Sequence, residues 1–171
     1  ADCRLEEILI GDNITSIGDY AFKGCTGMKH AVLGNGLTIV NGTMFSGCIG
    51  LEKVEMGNKI RTLAANAFSG CSALKDVALG SSVATINDYA FQNCSSLPEI
   101  TLPRAVTKVG DYVFSGCSKL ADVMIADRTT PLALGSNDSS PLFVDCPLDS
   151  VYIGGKITYS TTSSKGYSPF Y

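Results

Sequence analysis

Seven cysteines are the residues of this chain with the most evident chemistry. Six of them follow a phenylalanine by three residues, and five of these recur every 23 residues, at Cys25, Cys48, Cys71, Cys94 and Cys117. Thiols repeated at one fixed interval are expected on neighbouring coils of the chain, about 4.8 Å apart. This arrangement suits neither a Cys-x-x-Cys metal site nor a disulfide, whose Cβ atoms lie about 3.8 Å apart. We therefore predict that these five thiols are free, buried and inaccessible.

Cys3 lies one position out of phase with the other thiols, because Asp2 occupies the position that the spacing assigns. The odd number of cysteines gives no indication of the redox compartment.

His30 is the only histidine of the chain and is a candidate acid–base or metal-binding group. Catalysis would need a convergent nucleophile or second ligand, and the sequence provides none. The positions in phase with His30 hold charges of both signs, which is typical of an outward strand position. We predict a solvated surface histidine, no cofactor, no metal and no enzyme activity.

A group of aspartates near the carboxyl end could suggest calcium binding. Its members are Asp127, Asp138, Asp145 and Asp149. They lack the alternating spacing, the glycine and the glutamate of a calcium-binding EF-hand loop. A polar loop is the interpretation that we favour.

The elements that carry these residues form a repeat with a period of 23 residues, as from Phe45 to Phe68. Each Phe-x-x-Cys is followed by a Leu-x-x-Val-x-Leu pattern, as at Leu51, Val54 and Met56. Apolar residues two positions apart share one face of a strand. A unit this short cannot bury its apolar face alone, so stacked units must bury it together. We predict a solenoid of about six to seven coils with a parallel sheet.

Within each unit, a turn such as Gly57-Asn58 precedes a second short extended segment, Ile60 to Leu63. We expect a turn or a single helical turn over residues 87–91 and little long helix, because no helical apolar periodicity lasts beyond one turn.

The array divides into two parts. Residues 1–126 form the regular repeats, which open inside a repeat, and residues 127–171 are predicted to be longer variant repeats of the same solenoid. Residues 127–141 are expected to be a polar loop that lengthens one coil. Phe143 and Cys146 then restore the spacing, and Phe170 is interpreted as the phenylalanine of a further repeat.

Composition excludes two classes of partner. A net charge of −3 with no basic stripe argues against nucleic-acid binding. No apolar run reaches the roughly 18 residues of a membrane-spanning helix.

The outward strand positions are the best candidate for a binding surface, since sheets of solenoids can form extended recognition surfaces. Three of these residues, Leu9, Val32 and Met124, are apolar where a solvated face would be polar. The candidate ligand-binding residues are Glu7, Leu9, His30, Val32, Lys53, Glu55, Asp76, Thr101, Asp122 and Met124.

The unit Ile86-x-x-Tyr89-Ala90-Phe91-x-x-Cys94-x-x-Leu97-x-x-Ile100-x-Leu102-Pro103-x-x-Val106 resembles the BspA-like leucine-rich repeat, and so do the other units of residues 1–126. It departs from commoner leucine-rich repeats, which place Asn or Cys three positions after the last strand leucine. Those positions hold Gly36, Lys59, Ser82 and Ala105. We infer that the Cys before the strand has taken over the ladder role, and we do not expect a horseshoe with long outer helices.

The resemblance implies a surface or secreted bacterial protein with an adhesion-like role. Its expected partner is a protein, such as a host matrix protein, with a glycan as the alternative ligand. A structural spacer inside a larger surface protein is the second hypothesis. We expect a monomer, or copies stacked end to end through incomplete repeats.

Overall fold

The structure of the protein is a computed structural model that describes residues 3–135 and 141–158. The predictions for Asp138 and Phe170 therefore fall outside the described residues. Within them the chain forms short strands joined by turns, with no helix that could cross a membrane. The strands are β1 Glu7–Ile10, β2 His30–Leu33, β3 Ile39–Val40, β4 Lys53–Met56, β5 Thr62–Leu63, β6 Asp76–Ala78, β7 Thr85–Ile86, β8 Glu99–Leu102, β9 Lys108–Val109, β10 Asp122–Ile125, β11 Leu132–Leu134, β12 Ser150–Ile153 and β13 Ile157–Thr158.

The coils stack in parallel and in register, as the period predicts. The first strand of each coil joins a four-stranded sheet, β1-β2-β4-β6, or a three-stranded sheet, β8-β10-β12. The second strand of each coil joins a six-stranded sheet, β3-β5-β7-β9-β11-β13. The predicted solenoid and its second extended segment are both confirmed.

Alternation along the first strand decides which side chains face inward. In β4, Val54 and Met56 are buried while Lys53 and Glu55 face outward. The same alternation holds in β2, β8 and β10. The outer surface of the two sheets built from first strands is called the strand face below.

A stack of phenylalanine rings forms the centre of the core. Phe45, Phe68, Phe91 and Phe114 are fully buried, and neighbouring rings lie nearly parallel with centroids 5.3 to 5.8 Å apart. Phe143 continues the stack 5.4 Å from Phe114. The predicted role of these phenylalanines as core residues is confirmed, including the restored spacing at Phe143.

The third residue of the Phe-x-x-Cys tetrad is fixed by backbone conformation. Gly70 has a φ of +76°, in the left-handed region that glycine adopts without steric cost. In the fourth copy Asn93 takes this position with a φ of 58°, and asparagine is among the residues that tolerate it best. The tetrad is therefore a turn that places Phe and Cys inside the coil.

A polar ladder at the turn after the first strand was not predicted. The Asp12 side chain accepts the backbone N–H of Asn35 at 2.6 Å, and the Asn35 side chain accepts that of Asn58 at 2.8 Å. Asn58 does the same for Ser81 at 3.0 Å. Hydrogen-bonded ladders between coils are therefore formed both by the Cys positions and by Asn35, Asn58 and Ser81. Each of these three residues directly precedes one of the positions at which commoner leucine-rich repeats place Asn or Cys.

The prediction that residues 127–141 are a polar loop lengthening one coil is wrong in one part. Leu132–Leu134 forms β11, which pairs with β9 and β13. Leu132 and Leu134 are buried, so the apolar pair restores the second strand after the extra residues have left the coil. Arg128 holds this segment, since its guanidinium donates to the carbonyl oxygens of Val106 and Pro103.

Candidate functional site

The strand face presents two parallel rows of side chains. Residues of one row are two positions beyond those of the other along each strand, a distance of about 7 Å. The first row is Glu7, His30, Lys53, Asp76, Glu99, Asp122 and Ser150. The second row is Leu9, Val32, Glu55, Ala78, Thr101, Met124 and Tyr152. The structure therefore brings every candidate residue onto one surface, while their binding role stays a prediction.

The half of the strand face formed by the four-stranded sheet is a network of ion pairs. His30 Nδ1 lies 3.0 Å from a Glu7 carboxylate oxygen, and its Nε2 lies 3.2 Å from Glu55. The Lys53 ammonium lies 3.0 Å from Glu55 and 3.6 Å from Asp76. The hydrogen bond and charge of Lys53 lower the pKa of the Glu55 carboxyl, and Glu55 in turn raises the pKa of Lys53.

His30 is less exposed than the sequence predicts. Its side chain is 29% exposed and is held between two carboxylates rather than freely solvated. Both hydrogen-bond partners of its ring are carboxylates of this network. Its position is consistent with a structural role on the strand face.

The other half of the strand face carries a depression of about 260 Å³, called the C-terminal depression. Its floor includes Ile100 and Val123, which are nearly fully buried. Its lining residues are Glu99, Ile100, Thr101, Asp122, Val123, Met124, Ser150 and Tyr152. Met124 is 50% and Tyr152 54% exposed, so large apolar surface lies open at this place.

Ser150 and Tyr152 belong to the depression but were not among the predicted residues. In β12 they flank Val151, which packs against the core, so alternation along the strand turns both of them outward. Asp122 pairs with Ser150 in the sheet, an offset of 28 residues where the regular coils have 23. The inserted residues therefore hid the register that would have identified both side chains.

Tyr152 is fixed at the edge of the depression by Asp127. Its hydroxyl donates to the Asp127 carboxylate at 2.7 Å, and this hydrogen bond and the adjacent charge raise the pKa of Tyr152. Asp127 thus has Tyr152 as a hydrogen-bond partner. Across the described residues no group of three or more His, Cys, Asp or Glu side chains could hold a metal ion.

The thiols lie inside the solenoid, in contact with backbone rather than substrate. The thiols of Cys71, Cys94 and Cys117 each donate to the carbonyl oxygen of the tetrad phenylalanine in the preceding coil. These phenylalanines are Phe45, Phe68 and Phe91, and the distances are 3.2 to 3.3 Å. Cys48 makes the corresponding contact with Phe22 at 3.0 Å. These four thiols are free and buried, as predicted.

Burial makes these thiols poor nucleophiles. It raises the pKa of the Cys117 thiol to about 12, and it also raises the pKa of the Cys71 and Cys94 thiols. A protonated thiol enclosed by apolar side chains neither attacks a substrate nor binds a metal. The ladder is therefore structural.

The prediction for Cys25 is wrong, because Cys25 forms a disulfide with Cys3. The two Cα atoms are 4.9 Å apart and the residues are separated by 22 positions. Cys3 stands one position out of the ladder phase, so its side chain does not run parallel to that of Cys25 as an in-phase cysteine would. The argument from parallel side chains holds for the other ladder cysteines and fails for this pair.

Comparison with known proteins gives one family and several related structures. Residues 1–121 and 51–164 match the BspA type leucine rich repeat region, in 6 copies. The fold is similar to that of a leucine-rich repeat protein of T. pallidum, with a TM-score of 0.72 at 21% identity, covering 91% of this chain and 73% of that protein. No curated protein matches the chain significantly.

Two further solved structures are similar. One is a leucine-rich repeat protein of Bacteroides ovatus, with a TM-score of 0.69, 28% identity, and coverage of 91% of this chain and 42% of that one. The other, from Faecalibacterium prausnitzii, is described as a leucine rich cell surface protein; it has a TM-score of 0.63, 22% identity, and coverage of 95% and 50%. The chain thus spans half or less of the length of these two proteins.

Proposed function

Because this chain belongs to the BspA-type leucine-rich repeat family, we propose that it is a non-catalytic interaction module that binds a protein through the strand face. The observation that carries the proposal is the contrast between the two sides of each first strand. Inward residues repeat from coil to coil, whereas outward residues change in size and charge. Only the outward side can distinguish one ligand from another.

The chemistry of the strand face supports binding rather than catalysis. The histidine on the strand face is paired with carboxylates, and the thiols of Cys48, Cys71, Cys94 and Cys117 are buried in the core. An enzyme site needs a nucleophile or acid–base pair that converges on a pocket. The C-terminal depression instead combines exposed apolar surface with carboxylates, which is the composition of a recognition surface.

An extracellular or cell-surface location is part of the proposal. It is supported by the family and by the F. prausnitzii structure, which is described as a cell surface protein. We also propose that residues 127–171 continue the array as longer variant coils. The described strands β11, β12 and β13 support this for the first part of that segment.

Two matched threonine substitutions on the coil that begins at β8 test the function. Thr101→Arg puts a long charged side chain on the strand face, and Thr107→Arg puts the same side chain beside the six-stranded sheet. Both threonines are exposed, so both variants should fold. Binding to immobilised animal matrix proteins and to a glycan array would be measured by surface plasmon resonance.

We expect Thr101→Arg to reduce binding to any captured ligand by about tenfold or more, a loss of about 1.4 kcal/mol, and Thr107→Arg to leave it unchanged. Equal binding by the two variants would overturn the assignment to the strand face and favour a structural spacer.

A further inference from the structure

The two halves of the strand face differ in charge balance. In the half formed by the four-stranded sheet, each carboxylate beside or within the strands lies close to a basic side chain. The pairs are Glu6–Lys29, Glu7–His30, Glu52–Lys75, Glu55–Lys53 and Asp76–Lys53. This half of the face already satisfies its own charges.

In the half formed by the three-stranded sheet, all charged side chains of the strands and the residues directly before them are acidic. Residues 98–102, 121–125 and 149–153 include Glu99, Asp122 and Asp149, and they include no Lys, Arg or His. Asp122 accepts a hydrogen bond from the Ser150 hydroxyl. Neither Glu99 nor Asp122 has a basic partner among the residues that the structure describes.

An apolar row runs beside these carboxylates. Met124 lies next to Tyr152 in register, as Asp122 lies next to Ser150, so the acidic and apolar rows are parallel across the strands. Both Met124 and Tyr152 are about half exposed, and the hydrogen bond to Asp127 holds the Tyr152 ring at the edge of the depression. The C-terminal depression thus joins an unpaired negative charge to a fixed hydrocarbon and aromatic surface.

We propose that the C-terminal depression binds a lysine- or arginine-rich segment of the protein ligand, an inference that rests on the proposed function. A basic side chain has a cationic head on a hydrocarbon stem. The head complements Glu99 and Asp122, while the stem packs along Met124 and the head of a neighbouring basic residue meets the Tyr152 ring. Charge complementarity of this kind selects partners and accelerates association.

The probe is a capped synthetic peptide of alternating lysine and serine, compared with peptides in which glutamine or glutamate replaces lysine. Affinity would be measured by fluorescence anisotropy, and the contact surface by amide chemical shifts. The test variant is the double substitution Glu99→Gln with Asp122→Asn. Its matched control is Glu6→Gln with Asp19→Asn, which removes the same charge from exposed positions in the first coil.

We expect the lysine peptide alone to bind, with shifts confined to β8, β10 and β12. The test variant should lose affinity by about tenfold because it removes two charge pairs with the peptide, and the control should keep its affinity. Raising the salt concentration from about 0.05 M to about 0.5 M should weaken peptide binding more for the wild type than for the test variant.

Three results would overturn the inference. They are equal loss of affinity in the test and control variants, shifts centred on the four-stranded sheet, and neutral oligosaccharides binding where the lysine peptide does not. None of these removes the proposed function, provided that Thr101→Arg still blocks the captured ligand. If Thr101→Arg and Thr107→Arg bind equally, the proposed function itself fails.

Discussion

Phe68 shows what one side chain contributes to a stacked coil. Its ring lies 5.3 Å from that of Phe45 and 5.4 Å from that of Phe91, and no part of the residue is exposed. The ring therefore belongs to three coils at once. Its removal leaves a cavity that neighbouring rings on both sides border, and the backbone turn cannot close it because Gly70 and Cys71 fix its course.

We predict that Phe68→Ala lowers the free energy of unfolding by about 3–5 kcal/mol. The measurement is urea denaturation followed by circular dichroism. Ile49→Ala is the control, because Ile49 is an exposed residue of the turn and its truncation should change the free energy by no more than about 0.5 kcal/mol. Similar costs for the two variants would contradict the assignment of Phe68 to the core.

The buried thiols predict a specific response to alkali. Burial raises the pKa of Cys117 from its ordinary value of 9.0 to about 12. Below pH 9 the thiol is protonated in both states and its contribution is fully present. Between the pKa of the unfolded chain and that of the folded protein, the thiol of the unfolded chain loses its proton and the buried thiol keeps it. The free energy of unfolding therefore falls as pH rises, by about 1.4 kcal/mol per pH unit for each such thiol.

Cys117→Ala should remove the contribution of this thiol to the fall in the free energy of unfolding with pH. The free energy of unfolding would be measured at several pH values from about 8 to about 11, and the variant compared with wild type. A loss of packing alone lowers the curve equally at every pH, so the slope separates the two effects. An unchanged slope would show that the Cys117 thiol ionises in the folded protein.

At the scale of the element, the Cys3–Cys25 disulfide closes the first described coil. Strand β1 pairs with β2 alone among the described strands, and its outward residue Leu9 is 70% exposed. A coil with one neighbour is held by fewer contacts than an inner coil. A crosslink over 22 residues is worth about 3 kcal/mol in the loop-entropy account, which offsets that deficit.

We predict that Cys3→Ala makes the first coil open locally while the inner coils stay closed. Native-state hydrogen exchange should lose protection at Lys29 and Gly34, whose amides bond to the Glu6 and Ile10 carbonyls. The amide of Lys75, which bonds to Glu52, should keep its protection. A reducing agent should reproduce the effect in wild type and add nothing in Cys3→Ala; unaltered exchange at Lys29 would contradict the role of the disulfide.

Arg128 has a comparable role where the inserted residues leave the coil. Its guanidinium donates to the carbonyl oxygens of Val106, Pro103 and Ala126, and thereby ties the insertion to the preceding turn. Burial of the group lowers the pKa of Arg128 without removing its charge at neutral pH. Lysine cannot form this fork of hydrogen bonds.

We predict that Arg128→Ala destabilises the protein by about 1–3 kcal/mol and that Arg128→Lys recovers little of it. Thermal unfolding would be compared with Arg104→Ala, because Arg104 is an exposed arginine of the same region. Equal melting temperatures for Arg128→Ala and Arg104→Ala would show that the clamp contributes nothing.

At the scale of the whole molecule, the period itself can be tested. Deleting residues 69–91 removes one complete unit and joins Phe68 to Gln92, which recreates a Phe-x-x-Cys turn. All ladders keep their register, so the shortened protein should fold with a lower stability, since one interface between coils is lost. Deleting residues 69–90 instead shifts the following strand by one residue and turns apolar side chains outward.

We expect cooperative unfolding for the first deletion and aggregation or loss of structure for the second. Circular dichroism and size-exclusion chromatography distinguish the two outcomes. If both deletions behaved alike, the stacking register would not be what specifies the fold.

The extent to which sequence predicts this molecule follows from what repeats. Phe68, Cys71, Val54 and the strand alternation were all predictable, because each occupies one phase of a constant period. Contacts that break the period were not predictable: the Cys3–Cys25 pair is one residue out of phase, and Ser150 and Tyr152 follow an insertion. The pairing of His30 with Glu55 was missed because it depends on long side chains reaching diagonally across strands.

The stacking of coils in a single file also sets how the protein responds to mechanical load. Tension applied along the chain would peel coils from an end, because each coil touches only its neighbours. Each released coil of 23 residues lengthens the chain by about 80 Å. The Cys3–Cys25 crosslink keeps most of the first coil out of that extension, so oxidation state would determine whether unravelling from that end is smooth or delayed.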